Sequence, residues 1–126
     1  MARSTAPVAI VTGAAHGIGR AIAQRLLEDG WRVGAVDLPG SGLKRGYGRH
    51  PRRVVIVEGD VADEAMAPRA VKAVMNAFGR IDALVSNAGV MVRKPLRALT
   101  RAEWRTVLDT NLTAAFSLAQ AAMRPM

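Results

Sequence analysis

The 126-residue chain contains no cysteine, which removes a disulfide framework, a thiolate metal site and a cysteine nucleophile at once. Histidine is scarce. His16 and His50 are the only two and stand far apart in the sequence, so a histidine-based metal centre has little to build on. No apolar run reaches membrane-spanning length, and the first residues lack the apolar core of a secretory signal. A soluble, cytoplasmic protein with no membrane partner is expected. Aromatic residues are few, and this bears on the charge. The formal net charge of +8 suggests nucleic acid, but the excess is local. Lys44, Arg45, Arg49, Arg52 and Arg53 crowd into residues 39–53 with no acid among them, and the remainder holds thirteen bases against ten acids. Tyr47 is the one aromatic in that segment, too little for base stacking. The segment reads as a solvated basic loop, and no nucleic-acid partner is expected.

Half the residues are apolar, enough for residues 1–126 to form a single domain with a real core. The chain is organised around Thr12-Gly13-Ala14-Ala15-His16-Gly17-Ile18-Gly19. Before it stands the apolar run Val8-Ala9-Ile10-Val11, read as a buried strand over about 7–11. After it, Ile18, Ala21, Ile22, Leu26 and the stem of Arg25 recur at helical spacing. A helix is expected over 17–28, with Gly30 as its terminating glycine. A glycine-rich turn between strand and helix lets backbone approach a pyrophosphate, while the helix N-terminus offers free N–H groups and a positive dipole end. Gly13 would permit the tight turn, Gly17 would clear room for phosphates, and Gly19 would let the helix lie close on the strand. The alternative is a glycine-rich turn with no ligand. Neither P-loop spacing nor Gly-Lys-Ser/Thr is present, so a P-loop is disfavoured.

Residues 32–37 read as a second strand, completing a strand–helix–strand unit of about thirty residues. Asp37 ends it, about twenty residues beyond the turn, where the dinucleotide fold uses an acid to bind the adenosine ribose hydroxyls. Such a carboxylate repels a 2′-phosphate and favours NAD over NADP; alternatively Asp37 merely caps its own turn. Residues 38–53, rich in glycine with Pro39 and Pro51, read as a long flexible connection. Val54-Val55-Ile56-Val57 reads as a third strand buried on both faces. A helix is expected over about 68–78, with Ala70, Val71, Val74, Met75 and Phe78 buried and Gly79 closing it, followed by a fourth strand over 81–86. Asn87-Ala88-Gly89 then falls at a strand's C-terminal end, where open parallel sheets bind ligands. Thr100-Arg101-Ala102-Glu103 is a capping box opening a helix to about Arg124. Trp104, Val107, Leu108, Asn111, Ala115, Leu118 and Ala122 share one face of it, which makes Asn111 a polar residue in an apolar stripe. A satisfied core amide or a helix kink would explain it as well as a functional role. A second apolar stripe, Leu112, Phe116, Ala119 and Met123, suggests a homo-oligomer formed through this last helix.

Taken together, Thr12 to Gly19, Asp37, Asp60-Val61, Asn87-Ala88-Gly89-Val90 and Trp104 through Asp109-Thr110-Asn111-Leu112 resemble the N-terminal half of a short-chain dehydrogenase/reductase, over nearly the whole chain. The resemblance implies a Rossmann-like, doubly wound parallel α/β sheet with strand order 3-2-1-4, stopping before a fifth strand. It implies that Gly13, His16, Gly17, Ile18, Gly19, Asp37, Leu38, Asp60, Val61, Asn87, Ala88 and Gly89 bind the cofactor, with Asp60-Val61 at the adenine. His16 takes the place where NADP-using members often carry Lys or Arg. With Asp37 present, NAD is preferred over NADP, although Lys44 and Arg45 could fold back towards a phosphate. Asn111 becomes the catalytic Asn that holds a relay water. Ser86 stands where the family usually has Asn. The family's catalytic Ser and Tyr-x-x-x-Lys have no counterpart here: Tyr47 is the only tyrosine, and residue 51 is a proline. The expectation is therefore an NAD(P)-dependent oxidoreductase acting on an alcohol or ketone, present as its N-terminal half and with catalysis by the chain itself in question. A non-catalytic dinucleotide-binding or oligomerisation module is the alternative.

Overall fold

The computed structural model describes residues 5–126; residues 1–4, part of the N-terminal stretch in which no secretory signal was read, lie outside the described residues. The apolar run before the glycine-rich turn forms β1 (Val8–Thr12), buried along its whole length. Strands β2 (Arg32–Asp37), β3 (Val54–Glu58) and β4 (Ala83–Val85) join it in one parallel sheet of order β3-β2-β1-β4. Register pairs Ile10 with Gly34 and Leu84, and Val36 with Val57. Because β3 is an edge strand, it is buried fully only at Val57, not on both faces as its continuous apolar run suggested.

Strand alternation sorts the core into two layers. On one face Val8, Ile10, Val36 and Val57 pack with Met66, Ala70 and Val74 of α3 (Met66–Phe78) and with Leu118 of α5 (Ala114–Met123). On the other, Val11, Val33 and Ala35 meet Ala23 and Leu27 of α1 (Gly17–Glu28) and Leu43 and Tyr47 of α2 (Leu43–Tyr47). A Cβ at Gly34 would strike Val74 Cγ2, so the missing side chain lets α3 lie close on β2. Helix α1 ends in a Schellman arrangement. The Trp31 N–H donates to Leu26 O at 2.9 Å and the Gly30 N–H to Leu27 O at 3.1 Å, with Gly30 at φ 88°.

Three elements differ from the sequence reading. The connection after β2 is not wholly irregular: it holds α2, pinned by buried Leu43 and Tyr47. The third helix, α3, begins at Met66, which puts Pro68 inside the first turn, where its missing N–H costs no intrahelical bond. The last helix runs without a break over residues 101–123, close to the expected span, but is not α-helical throughout. Its capping box is present, with Glu103 N–H donating to Thr100 Oγ1 at 3.1 Å and Thr100 N–H to Glu103 Oε2 at 3.0 Å. Helix α4 (Arg101–Leu108) then passes through a π turn (Asp109–Thr113) into α5. Among the described residues no helix is long and apolar enough to cross a membrane.

Asp82 ties the entry to β4 against the start of β1. It accepts from Arg80 Nε at 2.9 Å and from the Val8 N–H at 2.8 Å. The Arg80 hydrogen bond, aided by the Val8 N–H and opposed by desolvation, holds the Asp82 carboxyl below the usual carboxylate range. A carboxyl with a depressed folded-state pKa stabilises fully above its unfolded value near 4 and loses that contribution as pH falls through the folded value. Asp82→Asn should therefore lower the melting temperature modestly at pH 7, by less than about 1 kcal/mol in stability because the pair is exposed. As pH falls through the depressed folded value the difference should close. Thermal melts at pH 7 and pH 2.5 check this; an undiminished gap at low pH would contradict it.

Candidate functional site

The C-terminal ends of the four strands open on one cleft of about 380 Å³. Gly13 and His16 reach it from the turn after β1, Asp37 and Leu38 from the end of β2, Asp60 and Val61 from beyond β3, and Asn87, Ala88 and Gly89 from beyond β4. Four segments distant in sequence thus converge because a parallel sheet brings all its C-terminal strand ends to one edge.

The glycine-rich turn is held from both sides. Thr12, fully buried, accepts through Oγ1 from the Asn87 and Ala88 N–H groups, both at 3.0 Å. Asn87 returns the contact, its Nδ2 donating to Thr12 O at 3.1 Å. On the opposite side the Ala14 N–H donates to Val36 O at 3.1 Å and the Ala15 N–H to Asp37 Oδ2 at 2.9 Å. Asp37 Oδ1 accepts from the Leu38 N–H at 2.7 Å, so this carboxylate does cap its own turn. Each oxygen keeps a further lone pair for a ligand hydroxyl. Asp60 likewise caps locally, accepting the Ala62 N–H at 2.9 Å.

The glycines divide by role. Gly13 takes φ 65° and Gly17 φ 55°, the left-handed region that favours glycine. Nothing stands within 4 Å of a Cβ built on Gly17, so the backbone there faces open space. A Cβ on Gly19 would collide with Gly13 O and the Asn87 amide, so Gly19 serves close contact with the turn, not with the strand body. Ile18 does not face the core as its spacing suggested: it is 73% exposed and is not among the residues that line the cleft, and the buried face of α1 runs through Gly19, Ala23 and Leu27. His16, at the N-cap of α1, makes no side-chain cap, and the first turn carries no acid.

Asn111 is not buried in an apolar stripe; it stands exposed in the π turn, and Trp104, expected on the same face, is 55% exposed. The amide closes a two-bond ring on Val90, with the Val90 N–H donating to Oδ1 at 2.8 Å and Nδ2 donating to Val90 O at 2.9 Å. The amide is thus satisfied, but on an exposed residue and not as the core amide weighed in the sequence reading, and the helix is distorted there into a π turn. Asn111 borders the cleft through Val90, which lines it with Thr106 and Thr110. Thr12 carried no assigned role in the sequence reading. A threonine at the last position of a fully buried strand, immediately before a glycine turn, was the signal for it.

Fold and cleft define a doubly wound, Rossmann-like α/β protein. The chain belongs to the short-chain dehydrogenase/reductase family: the model for short chain dehydrogenase matches residues 7–126. It is 43% identical over 117 residues to the 3-oxoacyl-[acyl-carrier-protein] reductase MabA of Mycobacterium tuberculosis, covering 93% of this chain and 44% of the relative. It is 38% identical over 118 residues to the acetoacetyl-CoA reductase of Cupriavidus necator, covering 90% and 48%. The chain thus spans about half the length of the curated relatives it matches. Among solved structures, a short-chain dehydrogenase/reductase described as a glucose/ribitol dehydrogenase from Brucella melitensis superposes with TM-score 0.91 at 31% identity, over 95% of this chain and 52% of that one. A blue fluorescent protein from a metagenomic library, solved in complex with NADPH, superposes with TM-score 0.86 at 32% identity, over 95% and 51%.

Proposed function

We propose that these residues hold the nicotinamide dinucleotide of an oxidoreductase that moves hydride between that cofactor and an alcohol or ketone. The observation that carries the reading is the convergence of Gly13, His16, Asp37, Leu38, Asp60, Val61, Asn87, Ala88 and Gly89 on one cleft. The residues fit the group. Helix α1 lacks a side-chain cap and an acidic first turn, and the open space at Gly17 adjoins it, as a pyrophosphate requires. Gly17 and Ile18 would face the phosphates, with Gly19 behind them holding α1 against the turn, Asp37 and Leu38 would face the adenosine ribose, and Asp60 and Val61 the adenine. Asn87, Ala88 and Gly89 would lie along the nicotinamide ribose, and Asn111 would act at the catalytic end. When bound, the nicotinamide supplies or accepts the hydride. The names of the relatives make 3-oxoacyl thioesters the first ketones to test.

NADH should bind more tightly than NADPH. A carboxylate about 4 Å from a phosphate is opposed by roughly 1–4 kcal/mol per pair of charges between bulk water and an effective dielectric of about 20. A preference of about tenfold or more is therefore expected. Fluorescence titration with both cofactors tests the proposal. No binding of either would sink the dinucleotide reading. Tighter NADPH binding would sink the preference and shift attention to His16, Lys44 and Arg45.

A module acting by association is the second reading, favoured by Leu112, Phe116 and Met123, each about two-thirds exposed or more. A self-associating last helix should give dimers or larger species by sedimentation at micromolar concentration. A monomer that binds no apolar dye would rule it out.

A further inference from the structure

Tyr47 is the chain's one tyrosine, 2% exposed, and it is absent from the cleft lining. Its hydroxyl donates to the carbonyl of Ala14, inside the glycine-rich turn, at 2.6 Å. Ala14 is itself fully buried, so loss of that donor would expose a desolvated carbonyl to an apolar wall. The same short stretch carries the two N–H bonds to Val36 O and Asp37 Oδ2. A phenylalanine would fill the space between α1 and the sheet equally well. What the tyrosine adds is a tether from α2 to the turn.

We infer that Tyr47 is a positioning residue, which through the Ala14 carbonyl holds the glycine-rich turn in the form that receives its ligand. The inference rests on the dinucleotide reading only for the identity of that ligand. The peptide that Tyr47 holds from the carbonyl side is the one Asp37 holds from the amide side: Ala14 C=O and Ala15 N–H belong to a single planar unit. Rotation of that unit would break both bonds together, moving the Asp37 carboxylate and the first turn of α1. The basic segment that carries α2 is thereby linked to the cleft without any of its charges entering it. Arg20 and Asp37 act on the phenol electrostatically, and Glu28, His50 and Arg53 line the groove behind it. Burial raises the pKa of the phenol, which keeps it a protonated donor at neutral pH.

Amide hydrogen exchange at Ala14 and Ala15 tests this in the whole chain, with NADH as the probe ligand. In a folded Tyr47→Phe variant both amides should exchange about three- to tenfold faster, and NADH should bind weaker by a similar factor. Replacement of the single tyrosine by 3-fluorotyrosine, a stronger donor of nearly the same shape, should slow the exchange. In the unsubstituted chain, saturating NADH should move the tyrosinate absorbance titration to higher pH, a shift that burial alone does not produce. Exchange at Ala14 and Ala15 unaltered by both replacements would overturn the inference. Exchange loosened by Tyr47→Phe in a chain that binds no NADH would retire the dinucleotide reading and still support the role of Tyr47.

Discussion

Gly19→Ala is expected to abolish dinucleotide binding and to lower the melting temperature by roughly 5 °C, the consequence of about 1–2 kcal/mol in a domain of this size. Two effects oppose each other. Alanine is the better helix former by about 1 kcal/mol, and Gly19 is a helical position in α1. Against this, the new methyl would fall on Gly13 O and the Asn87 amide. The first is backbone in a turn pinned by Thr12, Val36 and Asp37, so it has no direction in which to yield. Overpacking against fixed backbone costs about 1–3 kcal/mol or more, and here it should exceed the propensity gain. Relief would require α1 to withdraw from the turn, which separates the helix N-terminus from any phosphate seated there. Gly30→Ala is the control. Gly30 takes φ 88° with nothing within 4 Å of a built Cβ, so it should lose about 1–2 kcal/mol through backbone strain and leave NADH affinity intact. Melting curves and NADH titrations of the two variants decide. A Gly19→Ala chain as stable and as tight as the parent would show that the helix does not need to sit against the turn.

Gly19 also marks the limit of what hydrophobic periodicity reveals. The strands were legible because Val8-Ala9-Ile10-Val11 and Val54-Val55-Ile56-Val57 are short, mostly β-branched runs, each followed two residues on by a glycine, and parallel pairing follows from the helices between them. The cleft was legible because its residues lie just beyond those strands. The buried face of α1 was not, because one of its three buried positions is a glycine, and a glycine carries no apolar signal. Ile18 therefore looked like core and is surface. Helix α2 was hidden by Gly46, Gly48 and Pro51, which describe the local chain correctly. Tertiary burial of Leu43 and Tyr47 overrides them. The π turn at Asp109–Thr113 had one local mark, Asn111 as a polar residue in an apolar stripe, for which a helix kink was one of the readings. Beyond it Leu118 and Ala122 are buried as their spacing suggested, and the difference is confined to Ala114, which is buried where Ala115 was expected and is only half-buried.

The same geometry sets the expectation for chemistry: the 126-residue chain should show no measurable NADH oxidation with 3-oxoacyl thioesters or simple ketones. Hydride transfer to a ketone leaves an alkoxide that needs a proton, and general acid help is worth roughly 10²–10⁴ in rate when the donor lies within hydrogen-bond reach. In the proposed arrangement the ionisable groups of the cleft, His16, Asp37 and Asp60, lie toward the phosphates and the adenosine, and the groups near Asn111 do not supply that proton. Asn111 cannot ionise, and its amide already exchanges two hydrogen bonds with Val90, so it can order a water but not acidify one. The Thr106 hydroxyl donates to Ala102 O at 2.9 Å. Tyr47 has the right functional group in the wrong place. It lies behind the glycine-rich turn on α2, with its hydroxyl on Ala14 O, and burial raises its pKa when a catalytic phenol needs it lowered. In the proposed arrangement this is the adenosine side of the sheet, opposite the end where Asn111 stands. Absorbance at the NADH band with the purified chain provides the measurement, and NADH binding by fluorescence separates a chain that binds without turnover from one that does not bind. Turnover that disappears in Tyr47→Phe would overturn both the placement of the phenol and the positioning role assigned to it. Turnover that survives Tyr47→Phe and falls in Asn111→Ala would mean that an ordered water at Asn111 delivers the proton without a side-chain acid.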